Sequence, residues 1–227
     1  MTDLLFRDDA SLERCEATVV AVTPAGVVLD RTVFYPAGGG QPGDTGTLDD
    51  IVVHDTVKGE GGTVLHLCQG ALPMEGQTVT ATLDWDRRFA LMRMHTALHL
   101  LSVAIPLPVS GGAIGAEKSR LDFDMPEAPE DRDAIEAALN AMIEADHPVT
   151  DEWITDGELA ANPGLVKTMS VQPPTGQGRV RLVRIGDIDL QPCGGTHVAS
   201  TGQIGPVRLG KIEKKGKQNR RVSIHFA

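Results

Sequence analysis

Two pairs of metal-ligating side chains stand out in this sequence, each pair separated by three residues. His95 and His99 lie in RMHTALHLL, and Cys193 and His197 lie in QPCGGTHV. Imidazole nitrogen and thiolate sulfur are donors that zinc accepts together, usually four at a time. The spacing therefore predicts a site for one Zn²⁺ ion among these four residues.

The elements that carry these residues must bring the two pairs together. The segment DRRFALMRMHTALHLLSVAI has apolar residues at helical spacing and is followed by Pro106, which predicts a helix ending at that proline. Residues four apart lie on one face of a helix, so His95 and His99 point the same way, one turn apart. The two glycines of CGGTH permit a tight turn in which Cys193 and His197 converge.

The spacing excludes one chemistry and leaves two others open. Zinc proteases with an HExxH helix place a general base between their two histidines, whereas here that place holds Thr96, Ala97 and Leu98. Four protein ligands could close the site as a structural zinc, while catalysis requires a position open to water or substrate. Spacing alone does not choose between a structural and a catalytic metal.

The pattern along the chain predicts an α+β protein with two domains, 1–87 and 88–227. The first domain consists of short β-branched runs separated by Gly, Pro and Asp, as in a small β-barrel. In the second domain, amphipathic helices mix with strands without the rhythm of βαβ units. One of these helices is predicted from PEDRDAIEAALNAMIEADH, and GRVRLVRIGDIDLQP is predicted to be a single strand that enters the CGGTH turn.

A glycine-rich loop, residues 34–46, interrupts the predicted barrel with the sequence FYPAGGGQPGDTG. Three consecutive glycines are costly inside a strand. Their bare backbone would let a ligand come close, and a plain wide turn would explain them equally well.

Composition limits the class of protein. The chain has 227 residues, three cysteines without paired spacing and a formal net charge of −10. This pattern argues against a disulfide framework, and no apolar run is long enough to span a membrane. An N-terminus without a signal-peptide core favours a cytoplasmic protein.

A basic segment, residues 211–221, contrasts with the negative net charge of the chain. Its sequence, KIEKKGKQNRR, holds six basic residues and one acid between two strand-like runs. It predicts a basic β-hairpin that could contact phosphates, with a solvated hairpin tip as the alternative.

Four segments, taken in order, resemble the AlaX family, the free-standing homologues of the editing domain of alanyl-tRNA synthetase. They are DRTVFYPAGGGQPGDTG, RMHTALHLL, DLQPCGGTHV and KIEKKGKQNRRV. The resemblance runs from Thr32 to Arg221 and is closest to the medium-length members. It implies a small N-terminal β-barrel followed by an α+β editing domain of the alanyl/threonyl-tRNA synthetase type.

The resemblance also implies a function and a set of site residues. AlaX proteins are trans-editing deacylases that hydrolyse serine, and in some members glycine, from mischarged alanine tRNA. By motif match His95, His99, Cys193 and His197 would bind Zn²⁺, and Thr32 would act in the substrate pocket unless it is only a β-branched strand residue. The expected substrate and tRNA contacts are Gly38, Gly39, Gly40, Gln41, Lys214, Lys215, Arg220 and Arg221.

Asp189 lies just before the CGGTH turn and is a candidate hydrogen-bond partner for a ligand histidine, or else a solvated acid at a strand end. We expect a monomer with tRNA as its partner and no membrane association. Two other functions stay open: an RNA-binding module with a structural zinc and no turnover, and a zinc hydrolase of a small ester.

Overall fold

The β-branched runs of the N-terminal unit, Met1–Leu91, fold into a closed antiparallel barrel. The computed structural model describes residues 1–169 and 178–227. The strands of this unit are β1 (Asp3–Leu4), β2 (Arg14–Thr23), β3 (Gly26–Leu29), β4 (Arg31–Thr32), β5 (Gly46–Leu48), β6 (Ile51–Lys58), β7 (Val64–Cys68) and β8 (Thr78–Leu83). The barrel closes in the order β2-β3-β7-β6-β5-β8, and β1 pairs with β4 beside it.

Alternation along the strands fills the barrel, because every second side chain points inward. Val27, Leu29, Leu48 and Ala81 are fully buried there, together with Phe34 from the start of the glycine-rich loop. The apolar alternation seen in the sequence thus becomes the core of this unit.

Helix α1 (Trp85–Ala104) follows the barrel and ends just before Pro106, as the periodicity predicts. Asp84 precedes the helix, and its carboxylate accepts a hydrogen bond from the Arg87 backbone N–H at 3.3 Å. The chain divides into its two units inside this helix, between Leu91 and Met92. That division lies four residues beyond the boundary at 87/88 expected from the sequence.

The C-terminal unit, Met92–Ala227, contains two antiparallel sheets in its described part. Its further elements are β9 (Val109–Ala113), β10 (Lys118–Asp124), α2 (Arg132–Glu144), β11 (Val149–Thr155), α3 (Asp156–Ala161), β12 (Arg179–Ile185), β13 (Asp189–Pro192), β14 (Val207–Lys214) and β15 (Asn219–Phe226). One sheet has the order β14-β15-β10-β9 and the other β11-β12-β13. The barrel and these mixed elements confirm the predicted α+β class.

Two elements differ from their predicted form. The segment predicted to be one strand before CGGTH is a hairpin, because the chain reverses at Gly186, which has φ +45°. Helix α2 begins at Arg132, later than the sequence suggested, because the Asp131 side chain accepts a hydrogen bond from Ala134 N–H and caps the helix. The hairpin matters for function, since it brings β13 and the CGGTH turn alongside β12.

Side chains of α2 cover the edge of β14. The Asn140 amide donates to the Val207 carbonyl at 2.9 Å and accepts from the Val207 N–H at 3.0 Å. Glu136 accepts from the Leu209 N–H at 2.7 Å. These bonds satisfy backbone groups that an uncovered edge would leave available for pairing with another chain. Within residues 1–169 and 178–227, no helix is long and apolar enough to cross a membrane.

A buried ion pair fixes both stems of the glycine-rich loop. Arg88 and Asp44 have side-chain exposures of 0% and 1%. The Arg88 guanidinium donates to the Asp44 carboxylate at 2.8 Å and to the Val33 carbonyl at 2.7 Å. The same carboxylate accepts from the Tyr35 N–H at 2.6 Å, so the start and the end of the loop share one anchor.

We expect Arg88→Met to lower the free energy of unfolding by about 3–5 kcal/mol, since it leaves the Asp44 carboxylate buried without its partner. Urea denaturation followed by circular dichroism measures the change. Arg31→Met is the matched control, because Arg31 pairs with Asp30 at 3.3 Å in an exposed position and should contribute less than about 1 kcal/mol. Equal losses in the two variants would contradict a structural role for the buried pair.

Candidate metal centre

The structure brings the four predicted ligands together in the C-terminal unit. The ligand atoms of His95, His99, Cys193 and His197 all lie within 4.8 Å of one another. Cys193 Sγ lies 3.5 Å from His95 Nε2 and 3.3 Å from His197 Nε2. The three histidines are 7–8% exposed, so the cluster is buried at its base and still reachable from solvent.

Helix α1 and the turn after β13 each supply one pair. On α1 the hydroxyl of Thr96 accepts a hydrogen bond from the Val198 N–H at 3.3 Å and lies 3.3 Å from His197 Nδ1. Arg181 on β12 donates to the carbonyls of Cys193 and Gly195, at 3.2 and 3.0 Å. Contacts from the helix and from the strand therefore hold the CGGTH turn on two sides and fix the positions of Cys193 and His197.

Asp189 faces His99, one of the four predicted ligands. Its carboxylate accepts from His99 Nδ1–H at 3.0 Å, which leaves Nε2 to point into the cluster. The same carboxylate accepts from Lys167 Nζ at 2.6 Å and from the Gln191 amide at 2.8 and 2.9 Å. Gln191 also donates to Ser102, whose hydroxyl donates to the His99 carbonyl. The carboxylate is thus held by a network rather than solvated at a strand end.

Sequence reasoning missed most of this network. Gln191 could have been found from its position, because it lies two residues from both Asp189 and Cys193 and so shares their strand face. Lys167 follows a 3-10 turn, Pro163–Leu165, and no spacing in the sequence connects it to Asp189. Ser102 lies three residues after His99 on α1 and could have been placed on the same helix face.

Close contacts within the cluster shift the pKa values of its side chains. Burial opposes ionisation of Cys193, but the neighbouring His95 and His197 outweigh it and hold the pKa of the thiol well below its usual range. Burial lowers the pKa of His197 to about 3, which keeps that imidazole neutral. Burial also acts against a charge on His99, yet Asp189 and Cys193 raise its pKa to about 9. A thiolate beside imidazoles, one of them fixed by a carboxylate, is the donor set that zinc binds, so the residues present fit such an ion.

Thr32 lies in the N-terminal unit and is fully buried. Its oxygen accepts from the Phe34 N–H at 3.0 Å, and its hydroxyl donates to His66 Nε2 at 2.8 Å. His66 Nδ1–H in turn donates to the Val27 carbonyl at 3.0 Å, which fixes the tautomer of the neutral ring. The hydroxyl for which the family resemblance implies a role in the substrate pocket is thus bonded to His66 on β7.

The glycine-rich loop ends in a tight turn. Gly38 and Gln41 exchange two backbone hydrogen bonds of 3.0 Å, and Gly39 and Gly40 between them have φ of +60° and +84°. Positive φ at both central positions is the geometry of a type I′ turn, which explains the glycines. Gly39 and Gly40 are exposed, whereas the Gln41 side chain is buried.

The predicted basic hairpin is formed by β14 and β15. Lys214 and Lys215 are exposed near its tip, and Lys215 pairs with Glu213 at 3.1 Å. Arg221 is held by two hydrogen bonds to Asp122, of 2.8 and 3.0 Å, on the neighbouring β10. Arg220 donates to the Pro126 carbonyl at 3.0 Å, so the two arginines have intramolecular partners.

Comparisons with known proteins agree with this arrangement. A family model described as tRNA synthetases class II (A) matches residues 7–87. A second, described as the threonyl and alanyl tRNA synthetase second additional domain, matches residues 180–223, which include the Cys193–His197 turn. Both matches thus relate parts of the chain to domains of tRNA synthetases.

Relatives that align over nearly the whole chain identify the family. The alanyl-tRNA editing protein AlaX-M of Methanosarcina acetivorans is 34% identical over an alignment of 245 positions, which covers 98% of both chains. AlaX-M of Saccharolobus solfataricus is 35% identical over 236 aligned positions, again covering 98% of both chains. AlaX-L of Pyrococcus horikoshii is 32% identical over 242 aligned positions, which cover 99% of this chain and 58% of that protein. The chain belongs to the AlaX family of alanyl-tRNA editing proteins.

We expect Asp189→Asn to weaken zinc binding by about 10- to 100-fold. The asparagine amide is uncharged, so the His99 Nδ1–H group loses its anionic acceptor. Competition between the protein and a chromophoric chelator measures the affinity. Asp187→Asn is the control, since Asp187 is exposed in the turn between β12 and β13. Equal affinities for the two variants would show that the carboxylate does not support the site.

Burial lowers the pKa of His66 to about 4, against the effect of its bond to Val27. Below about pH 6.5 the unfolded chain therefore binds a proton that the folded chain excludes. The stability due to the neutral ring is complete above pH 6.5 and falls as the pH drops toward 4, by on the order of 3 kcal/mol. His66→Gln should show a smaller loss of unfolding free energy between pH 7 and pH 4.5 than the wild type. An unchanged difference between the two pH values would contradict this assignment.

Proposed function

We propose that this protein is a trans-editing hydrolase that removes serine from mischarged alanine tRNA, with glycine as a further substrate. The observation that carries the proposal is the cluster of His95, His99, Cys193 and His197, whose donor atoms converge within 4.8 Å at a partly accessible position. Membership of the AlaX family supports it, since the relatives named above are alanyl-tRNA editing proteins.

The proposed cofactor is Zn²⁺ bound by these four side chains. A zinc ion there would supply Lewis acidity toward the ester, or an anchor for the amino group of the substrate. The protein's own contribution is to fix the ligands. Asp189 orients His99, while Arg181 holds the backbone of the turn that carries Cys193 and His197.

A polar pocket can distinguish serine from alanine well. A site built to hydrogen-bond a substrate hydroxyl strongly rejects the analogue that lacks it, because the buried polar group of the site is then left unpaired. Thr32 is our proposed residue for that contact. In this role the Thr32 hydroxyl would give up its hydrogen bond to His66 Nε2 and bond the side chain or the amine of the serine instead.

The tRNA contacts that we propose combine the exposed turn at Gly39 and Gly40, next to Gln41, with the lysines of the hairpin. Lys214 and Lys215 are better placed for phosphates than Arg220 and Arg221, because both lysines are exposed, whereas both arginines are half-buried and bonded to Pro126 and Asp122. We further propose that the protein acts as a monomer in the cytoplasm.

The direct test compares hydrolysis of seryl-tRNA and alanyl-tRNA, both made with alanine tRNA. We expect seryl-tRNA to be deacylated faster by at least about 100-fold, since alanine lacks the hydroxyl that the site is proposed to bond. A chelator should abolish the activity, and added zinc should restore it. Equal rates on both substrates, or no hydrolysis of either, would refute the editing function.

A second function, an RNA-binding module with a structural zinc, is favoured by one observation: the four residues suffice to complete a closed tetrahedral site. This alternative predicts that the chelator unfolds the C-terminal unit and that tRNA binds without turnover. Circular dichroism recorded beside the deacylation assay distinguishes it from the first.

The double variant Lys214→Ala/Lys215→Ala separates a tRNA substrate from a small ester. For tRNA, we expect weaker binding and a slope of log affinity against log salt that is smaller by about 1 to 2, because fewer counterions are released. Hydrolysis of a small amino-acid ester should be unaffected. Arg14→Ala, at an exposed position on the barrel, is the control. An unchanged salt slope in the double variant would exclude these lysines as phosphate contacts.

A further inference from the structure

An exposed tryptophan lies in line with a metal ligand across one sheet. Trp153 on β11 is the register partner of Arg181 on β12. Arg181 in turn lies beside Cys193, whose backbone N–H donates to the Arg181 carbonyl at 3.2 Å. Side chains opposite one another on neighbouring strands project from the same face. Two strand spacings, about 10 Å in all, separate the Cα atoms of Trp153 and Cys193.

Trp153 is unusual among the surface side chains. It is 40% exposed, and within residues 1–169 and 178–227 it is the only aromatic ring among the exposed large hydrophobic residues. The guanidinium of Arg179, two residues before Arg181 on the same strand face, lies 5.2 Å from the centre of the Trp153 ring. An accessible aromatic ring beside an arginine is the combination that single-stranded nucleic-acid sites use, the ring for a base and the cation for the backbone.

The neighbouring arginine of the same strand has a different role. Arg181 is only 13% exposed, and it forms an ion pair with Asp151 at 3.3 Å as well as its bonds to the CGGTH turn. These contacts tie the sheet face to the metal-binding turn and fix the distance between Trp153 and Cys193. Arg179 is exposed and available to a ligand.

We propose that Trp153 and Arg179 form a subsite for the 3′-terminal nucleoside of the acylated RNA. Trp153 stacks on the terminal base, and Arg179 interacts with the adjoining phosphodiester. The ester to be hydrolysed lies on the ribose of that nucleoside, so a base held at Trp153 leaves the ribose facing the Cys193 side of the sheet. This inference rests on the proposed editing function, and it adds a base-recognition site to it.

The chain has two tryptophans, which makes a direct binding test possible. In the variant Trp85→Phe, all tryptophan fluorescence comes from Trp153. Two single-stranded RNAs are titrated into this zinc-loaded variant, one ending in CCA and one identical but lacking the terminal base. We expect the first to quench the fluorescence to saturation and the second to bind about 5- to 150-fold more weakly, which is the contribution of one base–aromatic stack.

Kinetics of seryl-tRNA deacylation give the second readout. Trp153→Leu should raise KM by a similar factor with kcat and zinc content nearly unchanged, and Trp153→Phe should restore most of the affinity. Leu72→Ala is the control, because Leu72 is 43% exposed on the other unit and should alter neither quantity.

The outcomes separate the two proposals. Equal affinity for the two RNAs, or an unchanged KM in Trp153→Leu, overturns the base subsite even if the wild type deacylates seryl-tRNA. Base-dependent quenching without deacylation by any variant supports the subsite and overturns the editing function.

Discussion

The Cys193 thiol and three buried imidazoles occupy one small region of the C-terminal unit, and the surrounding structure depends on keeping them there. Each needs a partner that fixes both its direction and its protonation, because an unpartnered polar group at this depth costs folding free energy. Asp189 does this for His99, and Thr96 and Arg181 do it for the CGGTH turn. The network makes a rigid ligand set out of residues that are about a hundred positions apart in the chain.

In the N-terminal unit, buried polar groups are likewise held by partners. Arg88 and Asp44 neutralise each other inside the barrel unit and tie the two stems of the glycine-rich loop. Thr32 and His66 form a closed chain of hydrogen bonds that ends on backbone groups. Both pairs hold the start of the loop at fixed positions, so that only its tip, at Gly39 and Gly40, is left exposed.

The distribution of positive charge is compatible with the proposed contact between this acidic protein and RNA. The net charge is −10, but intramolecular partners engage several arginines, as in the pairs Arg221–Asp122 and Arg181–Asp151. Four lysines of the hairpin segment are exposed, namely Lys211, Lys214, Lys215 and Lys217, and Arg179 is exposed beside Trp153 on another sheet. Local charge, rather than the total, therefore determines where a phosphate backbone is attracted.

The sequence by itself determined the α+β class, the helix of His95 and His99 and the identity of the four clustered residues, because the helical period and short ligand spacing act within one element. It also singled out Asp189 from its place next to the turn. Residue spacing could not predict contacts between distant segments, and the tertiary structure decided these. They are the hairpin of β12 and β13 and the contact of Lys167 with Asp189. They also include the hydrogen bonds of Thr32 and the alignment of Trp153 with Cys193. These are contacts between segments far apart in the chain, and only the packing of one element against another brings them together.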